Sequence, residues 1–251
     1  MSCCVLGLLI ATGLGAGAPS AAVPDETVRR LVKDLGDKDT AVRRKAAGAL
    51  VKRGKDARAA VPALVRALND ADESVRADCA RALGKVGAPA VPALVEAAGD
   101  KEVRTRRGAV LALGWMGPTA KAAVPTLVAA LRDKEEVRQL ATVSLARVGA
   151  PAVPALLKAF KSADAATHGP ATAVLVRIGE PSVRGLAEAL QDKAVETRRR
   201  AVLALGVLGP KAKAAAPALK KALDDADLEV RIGAGVALKR TESKEKRGRK
   251  P

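Results

Sequence analysis

One histidine, His168, and three cysteines are the whole supply of imidazole and thiol in 251 residues. A Ser-His-Asp or Cys-His arrangement needs an imidazole beside its nucleophile, and a zinc or di-iron site needs several ligands at close spacing. Cys3 and Cys4 lie far along the chain from Cys79, and no metal-binding spacing joins any of them. The glycines follow helical patterns singly, with no phosphate-cradling loop. Catalysis, a resident metal and a cofactor are therefore not expected.

The charged residues carry more information. Lys plus Arg is 44 against 27 Asp plus Glu, a formal net charge of +17. The segment Lys239–Pro251 holds seven basic and two acidic residues, so about +12 belongs to the rest of the chain. Such a field draws in anionic partners without specifying a fold. An Asp precedes an Arg by six residues in Asp37/Arg43, Asp70/Arg76, Asp100/Arg106, Asp192/Arg198 and Asp225/Arg231, and by five in Asp133/Arg138. At the matching place Ser162 and His168 stand instead. A charge pair recurring at one spacing implies that the elements carrying it recur as well.

They do. The phrase Gly-Ala-Pro-Ala-Val-Pro-Ala-Leu occurs at 87–94 and again at 149–156, and 19 of 27 positions agree between 105–131 and 197–223. Alignment on the Pro of that phrase gives Arg29, Pro62, Pro92, Pro125, Pro154, Arg184 and Pro217, spaced by 33, 30, 33, 29, 30 and 33 residues. A Gly ends one helical pattern and a Pro opens the next. In each unit a short apolar stripe such as Leu64, Val65 and Leu68 is followed by a longer one such as Val75, Cys79, Ala80, Leu83 and Val86. Those intervals place one face of a helix on a core. Hydrophobic residues make up 49% of the chain but aromatic residues only 1%, and that core of Ala, Leu and Val suits thin repeated layers. The fold class expected is all-α, an α-solenoid of about seven helix pairs in approximate units 25–59, 60–87, 88–121, 122–149, 150–179, 180–213 and 214–240.

With its Asp six residues before Arg and its Pro eight before Asp, as in Pro62/Asp70 and Pro92/Asp100, the unit resembles the HEAT repeat. It is most similar to the short Ala-rich form found in phycobilisome-lyase-like HEAT proteins. That resemblance implies a ladder in which the turn Asp pairs with the second-helix Arg, within or across repeats, with a weak rung at Ser162 and His168. Gly169 and Pro170 predict a late start for the second helix there. It also implies that second helices line a concave face. The His-Glu pairs by which some HEAT-repeat enzymes hold two irons are missing, and no residue set of the phycobilin lyases carries over.

Two exposed positions recur on the second helix. The first holds Arg44, Ala77, Arg107, Gln139, Gly169, Arg199 and Ile232, and the second Lys52, Lys85, Trp115, Arg147, Arg177, Val207 and Arg240. The candidate binding surface is accordingly Arg44, Lys52, Lys85, Arg107, Trp115, Arg147, Arg177 and Arg199. Trp115 either packs a turn or anchors a contact. The function expected is a non-enzymatic, monomeric scaffold that presents this basic surface to an acidic protein partner. Phosphate-backbone binding to nucleic acid is the alternative, disfavoured by the lack of aromatic residues on which bases stack. A lyase-like or chaperone-like role toward a chromophore protein comes third.

Val5–Leu14 is apolar and precedes the small-residue stretch Gly15–Ala22. Residues 1–22 thus read as a secretory signal segment cut after Ala18 or Ala22, or else as a mis-called start or a disordered apolar tail; the run is too short for a membrane span. Residues 241–251 read as a disordered basic tail. N-terminal sequencing of the native protein should find a mature start after Ala18 or Ala22 in an exported fraction, whereas an intact Met1 in the cytoplasm would refute export.

Overall fold

The structure, a computed structural model, describes residues 26–243; the expected signal segment and nearly all of the basic tail lie outside these residues. Seven helix pairs follow one another: α1 (Glu26–Asp34) and α2 (Thr40–Arg53), α3 (Val61–Arg66) and α4 (Glu73–Val86), α5 (Val91–Ala97) and α6 (Val103–Met116), α7 (Val124–Ala129) and α8 (Glu135–Val148), α9 (Val153–Phe160) and α10 (Ala165–Ile178), α11 (Val183–Ala189) and α12 (Val195–Leu208), and α13 (Ala216–Lys221) and α14 (Leu228–Glu242). The last helix runs two residues past the expected end of the array.

Each turn into a new pair opens at a glycine that an L side chain would strain: Gly87 sits at φ 77° and ψ −145°. A Pro in the first turn of the next helix loses nothing by lacking an N–H. Four of the seven second helices begin on an Asp cap. Asp39, Asp72, Asp164 and Asp227 accept backbone N–H bonds from Ala41, Val75, Ala166 and Val230 as N-caps. In the other repeats with an aspartate two residues before the cap, that aspartate accepts the cap residue's N–H, as Asp100 does from Glu102 at 2.7 Å.

The core is one leucine-rich seam. Leu50, Leu83, Leu113, Leu145, Leu175, Leu205 and Leu238 occupy one register on the seven second helices, and all are buried. Cys79 falls where Ala46, Ala109, Ala141, Ala171, Ala201 and Ala234 stand, and burial pushes its thiol up to about 12. It is a core residue. Val195–Asp224 is long and apolar enough to pass for a membrane span, yet the backbone turns at Gly209 (φ 54°) and half of its apolar window is buried in the array. It is two helices of the solenoid.

Successive second helices pack closely side by side, whereas successive first helices touch lightly even allowing for their shorter length. By the resemblance drawn from the sequence, this row of second helices, α2, α4, α6, α8, α10, α12 and α14, is the one expected to line a concave face.

The charge ladder joins repeats. Arg43 donates from Nε and Nη2 to Asp70 of the next repeat at 2.8 and 3.0 Å. Arg106 does the same to Asp133 at 2.7 and 2.8 Å, and Arg198 to Asp225 at 2.8 and 2.9 Å. Toward its own turn each Arg uses Nη1, which donates to two backbone carbonyls, those of Asp100 and Lys101 for Arg106. Arg76 and Arg231 keep only those carbonyl bonds. Arg138 instead pairs with Glu135 of its own helix. The six expected Asp-Arg partners therefore make three side-chain rungs, all between repeats.

The fifth repeat corrects a second expectation. Helix α10 starts at Ala165, level with the others, and carries Pro170 inside it. Asp164 caps the first turn, accepting from the Ala166 N–H at 3.0 Å and the Thr167 hydroxyl at 2.8 Å, so the helix is under way before the Pro removes one later bond. Its missing rungs are replaced by Arg132–Asp164 at 2.9 Å and Lys161–Asp192 at 3.0 Å. Arg200 adds a bond to the Ser162 carbonyl at 3.1 Å and lies 5.5 Å over the Phe160 ring.

Arg106→Ala should lower stability by about 1–3 kcal/mol, because it orphans a largely buried carboxylate and two carbonyls. Arg107→Ala, which removes a looser and more exposed pair, should cost under about 1 kcal/mol. Equal urea midpoints for the two variants would overturn the ladder.

Candidate partner-binding surface

Three rows of side chains project from the exposed side of the second helices, because residues four apart on a helix stand one above the other. The row nearest the turns follows the ladder Arg by one residue, and it differs from its sequence reading. Arg44, Arg107 and Arg199 are not free cations. Arg44 holds Asp72 through two bonds, the longer 2.9 Å. Arg199 holds Asp227 at 2.6 and 2.9 Å and approaches Glu229 at 3.2 Å. Arg107 lies 3.5 Å from Glu136.

These partners belong to the next repeat, and the joints are the same three that carry the Asp-Arg rungs. An Arg-Arg dipeptide at the start of the second helix thus makes a double tie, one guanidinium to each of two acids in the following turn. Asp72 and Asp227 are the N-caps of α4 and α14, so each carboxylate serves a helix end and a neighbour at once. The fork from Arg199 holds the Asp227 carboxyl down at about 2, and Arg106 and Arg198 hold Asp133 and Asp225 below the usual carboxylate range. The spacing that carries the second tie was present in the sequence as Asp70-Ala71-Asp72 and Asp225-Ala226-Asp227.

The far row is different. Lys52, Lys85, Arg147 and Arg177 are exposed at the C-terminal ends of α2, α4, α8 and α10, and among the described residues none of the four has an ion-pair or hydrogen-bond partner on its side chain. The helix C-terminus favours a cation there, a local benefit that asks for no ligand. Arg240 continues the row, reaching the Gly206 carbonyl at 3.3 Å. Trp115 belongs to it too. The indole is 37% exposed, seated against Gly84 of the previous repeat, with the Arg81 guanidinium 5.9 Å from the ring centroid. It packs between repeats and still shows a face to solvent.

The middle row escaped the sequence reading. It holds Gly48, Arg81, Leu111, Val143, Ala173, Leu203 and Val236, so from the third repeat on an apolar strip runs between the tied edge and the free basic edge. In the sequence these Leu and Val residues are indistinguishable from core.

Among the described residues no group of three or more His, Cys, Asp or Glu side chains is placed to hold a metal ion. His168 is half-buried beside Arg200, and burial followed by that positive charge lowers its pKa despite Asp164. A cleft of about 370 Å³ joins it to Lys161, Glu196, Thr197 and Arg200.

The HEAT repeats family model matches residues 61–146, and the PBS lyase HEAT-like repeat model matches residues 42–70 and 197–225. Each of the latter segments ends on the Asp of a rung. No curated protein matches the chain. Among solved structures, the complex of CpcE and CpcF of phycocyanin lyase from Nostoc sp. PCC7120 is 22% identical, with a TM-score of 0.41 and coverage of 89% of this chain and 98% of that one. The archaeal HEAT-like repeats protein from Thermococcus onnurineus NA1 is 13% identical, TM-score 0.44, covering 85% and 96%. Human deoxyhypusine hydroxylase is 24% identical, TM-score 0.38, covering 86% and 84%.

The depressed carboxyls fix the sign of the acid response. Their stabilisation is present above the unfolded value of about 4 and is lost as pH falls through the folded values toward about 2. The thermal midpoint should therefore fall between about pH 4 and pH 2. An Asp133→Asn/Asp225→Asn/Asp227→Asn variant should start lower at neutral pH and fall less steeply; parallel profiles would show that the ties contribute nothing.

Proposed function

Given that this chain is a HEAT-repeat protein, we propose that it is a non-enzymatic scaffold whose concave face binds an acidic protein partner. The observation that carries this reading is the row Lys52, Lys85, Arg147 and Arg177, four exposed cations on one face whose side chains have no partner among the described residues, beside a row of arginines that do. Where this fold needs a charge for its own cohesion it supplies a carboxylate in the next repeat. The far row receives none.

The binding surface is thus narrower in charge and broader in chemistry than Arg44, Arg107 and Arg199 had suggested. Those three supply the rigid edge. The far row supplies attraction and fast encounter, and the apolar middle row supplies the area that makes contact hold at moderate salt. Nucleic acid would meet the same cations through phosphates, but the sequence holds one Trp, one buried Phe and no Tyr, and bases would have little to stack on. Export through residues 1–22 belongs to the same proposal, since it places the surface among extracytoplasmic proteins.

The test is affinity capture from the native host with three forms of the protein. Lys85→Glu/Arg147→Glu/Arg177→Glu should weaken retention of the acidic partner by several kcal/mol, on the order of 100-fold, through like-charge repulsion. Arg66→Glu/Lys158→Glu/Lys220→Glu, the same charge change on the first helices, should leave retention intact. Loss with the first-helix set alone would refute the concave assignment, and capture of nucleic acid with a steep salt slope would favour the phosphate reading.

A further inference from the structure

The concave face is not uniform from end to end. In the first two repeats its middle row is Gly48 and Arg81; in the last two it is Leu203 and Val236. There the edge rows change as well. Val207 stands on α12 where α8 and α10 carry Arg147 and Arg177, and Ile232 stands on α14 where α12 carries Arg199. Leu203 and Val207 are each 65% exposed, Ile232 59% and Val236 45%. Each pair is one helical turn apart, on two helices that pack side by side. Four branched aliphatic side chains therefore make one patch that the described residues leave uncovered, at the C-terminal end of the face, where Val207 and Ile232 stand in place of cations.

A second copy of the chain fits this patch poorly. Arg177 and Arg240 border it, and each copy carries a net charge of +17, so self-association would bring like charges together. The bordering charge complements an acidic occupant. Spacing specifies its form: neighbouring helices stand about 8–10 Å apart, and three residues of extended chain span about 10 Å. A carboxylate at every third residue therefore meets one second helix after another.

We infer that the concave face takes an extended acidic–apolar segment of a partner protein. Its apolar end sits on Leu203, Val207, Ile232 and Val236, and acidic residues at every third position run toward the N-terminal repeats past Arg177, Arg147 and, beyond Trp115, Lys85. The inference rests on the protein-binding reading above and adds an anchor and a direction to it.

Fluorescence anisotropy on the full chain tests it with synthetic peptides. One probe joins a Leu-Val-Leu-Phe end to a Ser/Gly segment with Glu at every third position, made in both chain orders. A second has the apolar end replaced by Ser, and a third has the same Glu residues placed consecutively. The joined probe should bind at least tenfold more tightly than the second in one order, and more tightly than the third. Leu203→Ser/Ile232→Ser should erase that gain while leaving the affinity for the second probe unchanged, with wild-type thermal midpoints showing that the variant is folded. Leu203→Ser alone should lose part of the gain if the double variant does not fold. An absent gain, or one that survives the substitutions, overturns the anchor, and sedimentation showing self-association that the substitutions abolish gives the patch to a second copy instead. Binding of none of the probes overturns this inference, and capture from the native host then decides separately whether the face binds a protein at all.

Discussion

Each second helix here is fourteen or fifteen residues long and carries its leucine on a face that its own short partner helix covers only in part. Such a helix is marginal in water by itself, and neighbouring pairs supply the missing cover. Ala-rich surfaces make that stacking possible, since small side chains let helix axes come close. Gly114, whose added Cβ would stand 2.3 Å from the Ser144 Oγ, shows how little room is left. The hydrophobic seam supplies cohesion along the array but is indifferent to register. Directional contacts at the turns have to fix how each pair sits on the last.

That is the work of Arg43, Arg76, Arg106, Arg198 and Arg231, each at the start of a second helix. A guanidinium plane offers five donors in a fixed fork, and the fold uses them in two directions. One nitrogen closes the turn behind it, and at three joints the other two reach forward to the next repeat's aspartate. A following arginine doubles the tie at those same joints. Joints without the double arginine rely on packing and on substitutes such as Lys161–Asp192 and Arg200. The array is therefore tied unevenly, first to second, third to fourth and sixth to seventh repeat, with the fifth held by single and more local contacts.

The same bookkeeping separates structural charge from available charge. A chain with a large positive excess invites the view that every exposed arginine is a ligand contact. Once carboxylates of the next repeat are assigned to Arg44, Arg107 and Arg199, the unpaired charge contracts to the opposite edge of the face. The apolar strip between the edges then becomes the surface most in need of an explanation, because nothing among the described residues covers it at the C-terminal end.

The seven helix pairs, their turns and the phase of each apolar stripe were legible in the sequence, because they depend on local periodicity and on Gly and Pro, whose constraints act within a few residues. The two edge rows on the second helix were legible for the same reason: a helix puts residues at turn spacing on one face wherever it lies. What the tertiary structure alone decided was partnership. Arg44 and Asp72 are 28 residues apart, and only the stacking of one pair on the next brings them within a hydrogen bond. Leu203 and Leu205 likewise have the same side chain and nearly the same sequence surroundings, yet one is 65% exposed and the other fully buried. Helical phase separates them by 200°, but which side of the helix meets the next repeat is set by how neighbouring pairs stack, and that is a property of the array rather than of any one repeat.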